Sequence, residues 1–287
     1  MKYPVDCAST TPQSAASKKY GFFESERQVV DRVMRDVGLA YGQRHPLTWI
    51  MEVSDDIAYC TLDVEDAIKK KIFSPDDVYF IFNESSNDDV KILAQRLKEL
   101  FSKIDKSKRS NSEVRDIKAS YLRTCVIGTL IERAVDDFHR KWEGIKSFSN
   151  ETSLLDSDPV LEAMRKVSRE YVFSSQEVCR LEAIGEIAIQ GIMDFLWFSI
   201  ADRKDAQDLS SRRNGSISSY GWSIISDNYK QVALNSTLYG ECPDNCHLRY
   251  RELRLLTDMV AGMTDGFAMN LYQKIESDGL MAKVASS

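Results

Sequence analysis

Apolar residues recur at intervals of three and four along almost the whole chain, and the strict alternation that builds strands is nearly absent. Residues 90–104 place Ile92, Leu93, Leu97, Leu100, Phe101 and Ile104 on such a spacing, the pattern of an amphipathic helix. Residues 113–143 repeat it through Tyr121, Leu122, Cys125, Val126, Leu130, Ala134 and Phe138. Further helices are predicted over 158–171, 175–200, 221–235 and 248–276, with 175–200 apolar on several faces and so expected in the core. Ser25 reads as the cap of SERQVVDRVMRDVG, with Val29, Val30, Val33 and Val37 on one face and Gly38 to Gly42 as its stop. Ser74-Pro75-Asp76-Asp77 opens another helix. Residues 1–20 read as a loop, 144–157 as a connector and 205–220 as an exposed loop; 103–112 is a surface loop or the start of the next helix. With no internal repeat and little proline, the expected fold is all-α, an irregular multi-helix bundle in which residues 1–287 form a single helical region.

One stretch stands apart. His45 to Lys71, HPLTWIMEVSDDIAYCTLDVEDAIKKK, has no glycine and only an opening proline, which predicts one continuous helix. Into an apolar setting of Ile50, Val53, Ile57, Ala58 and Leu62 it inserts Asp55, Asp56, Tyr59 and Asp63. At about 100° per residue, positions 55, 59 and 63 fall within a sector of roughly 80°, whereas adjacent Asp55 and Asp56 diverge. At most one of that pair can therefore face a site shared with Tyr59 and Asp63. Carboxylates among apolar neighbours need a cation, a metal or a hydrogen-bond donor. The bland alternative is a solvated acidic face.

Composition narrows the classes. The chain has 287 residues, 43% apolar and 29% charged, enough to bury a core. A net charge of −6 excludes a global basic footprint for nucleic acid but leaves a local patch open. No run of 18 continuous apolar residues occurs, so no membrane span is expected, and the N-terminal residues lack the apolar core of a signal peptide. Cys60, Cys125 and Cys179 lie inside helical patterns and read as buried free thiols of a reducing cytoplasm. Cys242-Pro-Asp-Asn-Cys246-His247 lacks the second ligand pair of a structural zinc site and reads as a loop.

HPLTWIMEVSDDIAYCTLDVEDAI resembles the helix that supplies the last metal ligand in bacterial deoxyguanosine triphosphate triphosphohydrolases of the HD-domain superfamily. KYP at 2–4, KKYGFFESE at 18–26, YLR at 121–123, VFSSQEVCRLEAIG at 172–185 and RLLTDMVAGMTDGFAMNLY at 254–272 resemble further family segments in the family's order. The resemblance implies an all-α HD-like fold that hydrolyses dGTP to deoxyguanosine and triphosphate with a divalent metal, Mg or Mn. It implies that Asp55 is a metal ligand, that Tyr59 packs on the deoxyribose, that Asp63 accepts from the 3′-hydroxyl, and that Lys19 and Lys2 contact the triphosphate. It also implies partners: dGTP or another dNTP, a homo-oligomer or a full-length homologue, with single-stranded nucleic acid as a further option and no membrane. Arginines of the region holding Arg212 and Arg213 reach a neighbour's site in some family hexamers; here they read as a solvated loop.

The departure lies in the metal site. The family pattern has a His, then an adjacent His-Asp pair, then the distant Asp. This sequence has His45, His139 and His247, none followed by Asp. The resemblance starts near the middle of the family pattern, so a C-terminal part from a truncated or split gene, inactive alone, is expected. One carboxylate does not hold a transition metal in defined geometry. A weak or absent metal, and a non-catalytic nucleotide-binding or regulatory subunit as the alternative role, follow from that.

Overall fold

The computed structural model describes residues 1–11, 14–105, 107–235 and 244–281. The fold among them is all-α, with eleven α-helices and no strand. In chain order these are α1 (Arg27–Asp36), α2 (Pro46–Lys69), α3 (Pro75–Asn83), α4 (Asp88–Ser102), α5 (Asn111–Lys146), α6 (Pro159–Val167), α7 (Gln176–Ala201), α8 (Ser216–Ile224), α9 (Asp227–Leu234), α10 (Asp244–Ala261) and α11 (Asp265–Ser277). They group into two compact units, Met1–Val178 and Cys179–Ser287.

Local chemistry sets most helix starts in the first unit. Ser74 Oγ accepts from Asp77 N at 3.2 Å while Asp77 Oδ2 accepts from Ser74 N at 2.8 Å, a reciprocal cap with Pro75 at the first helical position. Ser110 and Glu113 close the same box on α5, which resolves the open reading of 103–112. Asn87 Oδ1 caps α4, and His45 Nδ1 accepts from Leu47 N at 3.2 Å to cap α2. Helix α2 ends where Lys71 turns to φ 64°.

Two expectations for the N-terminal helix are corrected. Residues 24–26 form a 3-10 turn that precedes α1, so Ser25 is not the cap; Glu26 accepts from Phe23 N at 2.8 Å instead. The four valines do not share a buried face. Val30 and Met34 pack with Phe22 in a small cluster, while Val29, Val33 and Val37 are about half exposed. A helix turns about 100° per residue, so 29, 33 and 37 form one stripe and 30 and 34 the next.

The core of the first unit is built where α2 lies along α5, closed by α3, α4 and α6. Val53, Ile57, Val64 and Ile68 of α2 meet Leu122, Val126 and Leu130 of α5 in one buried cluster that also takes in Phe82, Leu97 and Met164. Helix α6 runs straight into a π-helical turn, Ser168–Phe173, a rare geometry found frequently at functional sites.

The second unit has its own core of Ile192, Phe195, Leu196, Ile200, Leu255 and Ile275. Among the described residues α7 is the one helix long and apolar enough to cross a membrane by length and composition. Its C-terminal half is a core helix here, with Ile192, Phe195, Leu196 and Ile200 fully buried. Helix α8 approaches α7 so closely that a Cβ on Gly221 would lie 1.9 Å from Ser199 Oγ.

The expected helix over 248–276 is broken into α10 and α11. Thr264 Oγ1 caps α11 by accepting from Phe267 N at 3.3 Å, a signal that outweighs the continuous apolar pattern around it. Residues 205–220 are not all exposed loop. Arg213 is buried, its guanidinium 3.6 Å from the Trp222 ring centre, and it donates to the carbonyls of Ser211 and Leu209 at 2.6 and 3.0 Å. Burial, then the neighbouring Arg203 charge, lowers its pKa to about 10. Arg212 is exposed, as expected. Cys60 is buried and Cys125 half-buried, but Cys179 is exposed, because the first turns of α7 pack against little. Cys242 and the side chain of Cys246 lie outside the described residues.

The N-terminal segment is fastened to α2 by a buried ion pair. Arg44 donates from Nη1 to Glu52 Oε2 at 2.7 Å and from Nε to the Lys2 carbonyl at 2.8 Å, with Trp49 stacked at 4.4 Å. Both side chains are almost fully buried. Replacing Glu52 by Ala strands the Arg44 charge, and the expected loss is about 3–5 kcal/mol of unfolding free energy in a urea titration. A loss under about 1 kcal/mol, the value of an exposed pair, would contradict this placement.

Candidate functional site

An open cleft of about 190 Å³ lies between α2 and the α6–π-turn segment, lined by Asp56, Tyr59, Cys60, Asp63, Arg165, Ser168, Arg169 and Phe173. Positions 56, 59, 60 and 63 recur at helical spacing, so one face of α2 forms one wall. The structure therefore joins Tyr59 and Asp63 with Asp56 rather than Asp55. This decides between the two adjacent acids in favour of the one that reaches across to a cation.

That cation is Arg165. It donates from Nη2 to Asp56 Oδ2 at 2.9 Å and from Nη1 to Glu162 Oε1 at 2.7 Å. Arg169 adds a second positive charge one turn on, its guanidinium 4.0 Å from Glu162. Tyr59 is 63% exposed, so its ring is free to stack on a ligand. Phe173 lines the cleft from the end of the π turn. The Ser168 hydroxyl is buried in its wall with no partner among the described residues. Burial, with the nearby Asp66 charge second, raises the Asp63 pKa. Burial also pushes the Cys60 thiol up, and its sulfur lies 3.4 Å from the Ile57 carbonyl, which makes it a packing residue and not a nucleophile.

The remaining expected residues sit elsewhere. Asp55 is exposed on α2 and outside the cleft lining. Lys2 lies 3.5 Å from Glu52, beside the Arg44 ion pair, and Lys19 is exposed in the N-terminal segment. Arg165, Ser168, Arg169 and Phe173 were not singled out from sequence. Their one visible signal is the spacing of Arg165, Arg169 and Phe173 at four-residue steps, which puts them on one helical face but names no partner.

The divalent metal that the resemblance implies needs several converging donors. Among the described residues no three His, Cys, Asp or Glu side chains converge. His45 uses Nδ1 in a cap, His139 is exposed on α5, and His247 belongs to α10 in the other unit. Asp55 by itself is one oxygen ligand where a hard cation takes about six. These residues do not by themselves fit a resident metal. What the cleft can do is hold a ring: an aromatic face from Tyr59, carboxylate oxygens on Asp63 that accept hydrogen bonds, and two guanidinium groups for balance.

Fold and cleft thus define an all-α protein whose central acidic helix presents a tyrosine and a carboxylate to a ring-sized opening. Among known proteins, the chain is similar along 96% of its length, at 30% identity, to the deoxyguanosinetriphosphate triphosphohydrolase of Serratia proteamaculans. It is 28% identical over 93% of its length to that of Klebsiella pneumoniae strain 342, and 26% identical over 96% to a deoxyguanosinetriphosphate triphosphohydrolase-like protein of Listeria monocytogenes. The similarity to deoxyguanosinetriphosphate triphosphohydrolases thus runs along nearly the whole of this chain. It spans 56–58% of the length of these relatives. No protein-family model matches it.

The raised Asp63 pKa has a measurable sign. In the range just above the ordinary carboxylate value the folded state holds more protons than the unfolded one, so stability falls as pH rises through it. Asp63→Asn is expected to stabilise the protein at pH 7, to lose that advantage in acid, and to flatten the pH slope of the thermal midpoint. A steeper slope in the variant would reverse the assignment.

Proposed function

We propose that this chain carries the sugar-reading edge of a deoxynucleoside triphosphate pocket. The reaction of the complete site is the hydrolysis of dGTP by water to deoxyguanosine and triphosphate. The observation that carries this reading is the meeting of Tyr59 and Asp63 in one cleft on a chain similar to dGTP triphosphohydrolases along 96% of its length. Tyr59 stacks on the deoxyribose, and Asp63 takes the 3′-hydroxyl as its hydrogen-bond partner. The desolvation that raises the Asp63 pKa also strengthens a bond formed there, because water competes less. Lys19 and Lys2 supply point charges toward the triphosphate, Lys19 from an exposed position and Lys2 after exchanging its contact with Glu52.

Asp55 contributes one carboxylate toward a divalent metal, Mg or Mn, whose other ligands the described residues do not bring together. The purified 287-residue chain is therefore expected to release no triphosphate from dGTP with Mg or Mn present. Triphosphate release at rates of about 1 s⁻¹ or more, an ordinary enzymatic turnover, would overturn that. Deoxyguanosine binding, followed by shifts of the aromatic NMR signals, is expected to weaken about tenfold in Tyr59→Ala, the scale of one lost stacking contact. An unchanged Kd in that variant would remove the sugar-edge reading.

A second reading is favoured by the lack of converging metal donors among the described residues: a non-catalytic nucleotide-binding or regulatory subunit that co-assembles with a full-length homologue. Deoxynucleotide binding that survives chelation of all divalent metal, with no hydrolysis on adding such a homologue, would select it.

A further inference from the structure

A serine or threonine inside a helix can return its hydroxyl to the carbonyl four residues back. Thr61 and Ser199 do so here, at 2.6 and 2.8 Å from the Ile57 and Phe195 carbonyl oxygens. Ser168, which opens the π turn, does not. It is 4% exposed, it lines the cleft, and its hydroxyl has no partner among the described residues. A buried hydroxyl left unpaired lowers stability, and a hydrogen bond to a ligand offsets that loss. The next residue, Arg169, lines the same cleft with a side chain 61% exposed. Its ion-pair partner, Glu162, is 4.0 Å away, beyond hydrogen-bond distance, and is already held by Arg165 at 2.7 Å. Arg165 itself spends its two terminal nitrogens on Glu162 and Asp56. The wall facing α2 thus offers one buried hydroxyl and one uncommitted guanidinium fork.

We propose that Ser168 and Arg169 read the nucleobase, and that they select a purine whose sixth position carries a carbonyl. The proposal rests on the reading of the cleft as a nucleoside pocket, with Tyr59 and Asp63 on the sugar. A guanidinium fork has donors and no acceptor. It matches two adjacent acceptors, which guanine and hypoxanthine present as O6 and N7. Adenine puts an amino donor where O6 would be, so the same fork meets a donor against a donor. The carbonyl O6 has two lone pairs. Arg169 donates to one of them and to N7, and the Ser168 hydroxyl donates to the other. The donors used on that wall then have acceptors, and the orphaned hydroxyl is satisfied. The contacts lie on O6 and N7, so the amino group at C2 of guanine is not read by this wall.

The test titrates the full 287-residue chain with deoxyguanosine, deoxyinosine, deoxyadenosine and 7-deazadeoxyguanosine, and reads each Kd from the aromatic NMR signals. Deoxyguanosine and deoxyinosine are expected to bind alike. Deoxyadenosine and the 7-deaza analogue are expected to bind about tenfold more weakly, the scale of one bidentate base contact. Arg169→Lys keeps the charge at an exposed position but loses the fork, and is expected to bring deoxyguanosine to within about twofold of deoxyadenosine. Ser168→Ala is expected to narrow the gap about threefold with deoxyadenosine binding unchanged, and to melt no lower than the unaltered chain, because it removes an unpaired group. A gap unchanged in both variants overturns the proposal. So does deoxyinosine binding as weakly as deoxyadenosine, or the absence of deoxyguanosine binding. Tyr59→Ala acts on the sugar and is expected to weaken all of these nucleosides equally, which keeps the gap. If Tyr59→Ala changes nothing while Arg169→Lys still closes the gap, the sugar reading falls and the base reading stands. The reverse pattern sinks the base reading alone.

Discussion

The structure of the first unit depends on how α2 disposes of its acids. A helix that packs against α5 along its length cannot also carry inward carboxylates unless each meets a cation. The buried Glu52 and Glu65 do, as does the part-exposed Asp56, and each cation comes from a different place. Glu52 takes Arg44 from the preceding segment, Asp56 takes Arg165 from α6, and Glu65 takes Arg123 from α5 at 2.9 Å. The ion pairs are spaced along α2 and fix its rotation about its own axis. Breaking one buried member costs about 3–5 kcal/mol, a large share of the stability of an ordinary domain.

That rotation decides what remains for function. With Asp56 turned to Arg165, Tyr59 and Asp63 face the same cleft, and Asp55, about 100° round from Asp56, is exposed outside its lining. The cleft gains Arg169 and Phe173 because α6 continues into a π turn rather than stopping at Val167. The same rotation leaves Leu47, Met51 and Leu62 about half exposed or more.

Much of this was legible in the residues. Short-range rules found α2, α3, α4 and α5 because caps and apolar spacing act within one or two turns, as the Ser74–Asp77 box does. The same rules failed where two local signals competed. Thr264 capped a new helix inside an apolar run, and Glu26 rather than Ser25 closed the turn before α1. Helical geometry showed that at most one of Asp55 and Asp56 could share a site with Tyr59 and Asp63 but not which one lines the cleft, since nothing local distinguishes the two. Arg165 lies 109 residues from Asp56, and no spacing rule spans that distance.

The sequence alone determined the all-α class, the central helix with its acids and tyrosine, and the likeness to dGTP triphosphohydrolases, because each of these is written in local order. Only the tertiary structure decided which acid is paired, which aromatic and basic residues complete the cleft, that Arg213 is buried against Trp222, and which face of α2 is bare. Those depend on side chains meeting across helices, where desolvation makes an ion pair or a stacking contact strong enough to select one rotation of a helix over another.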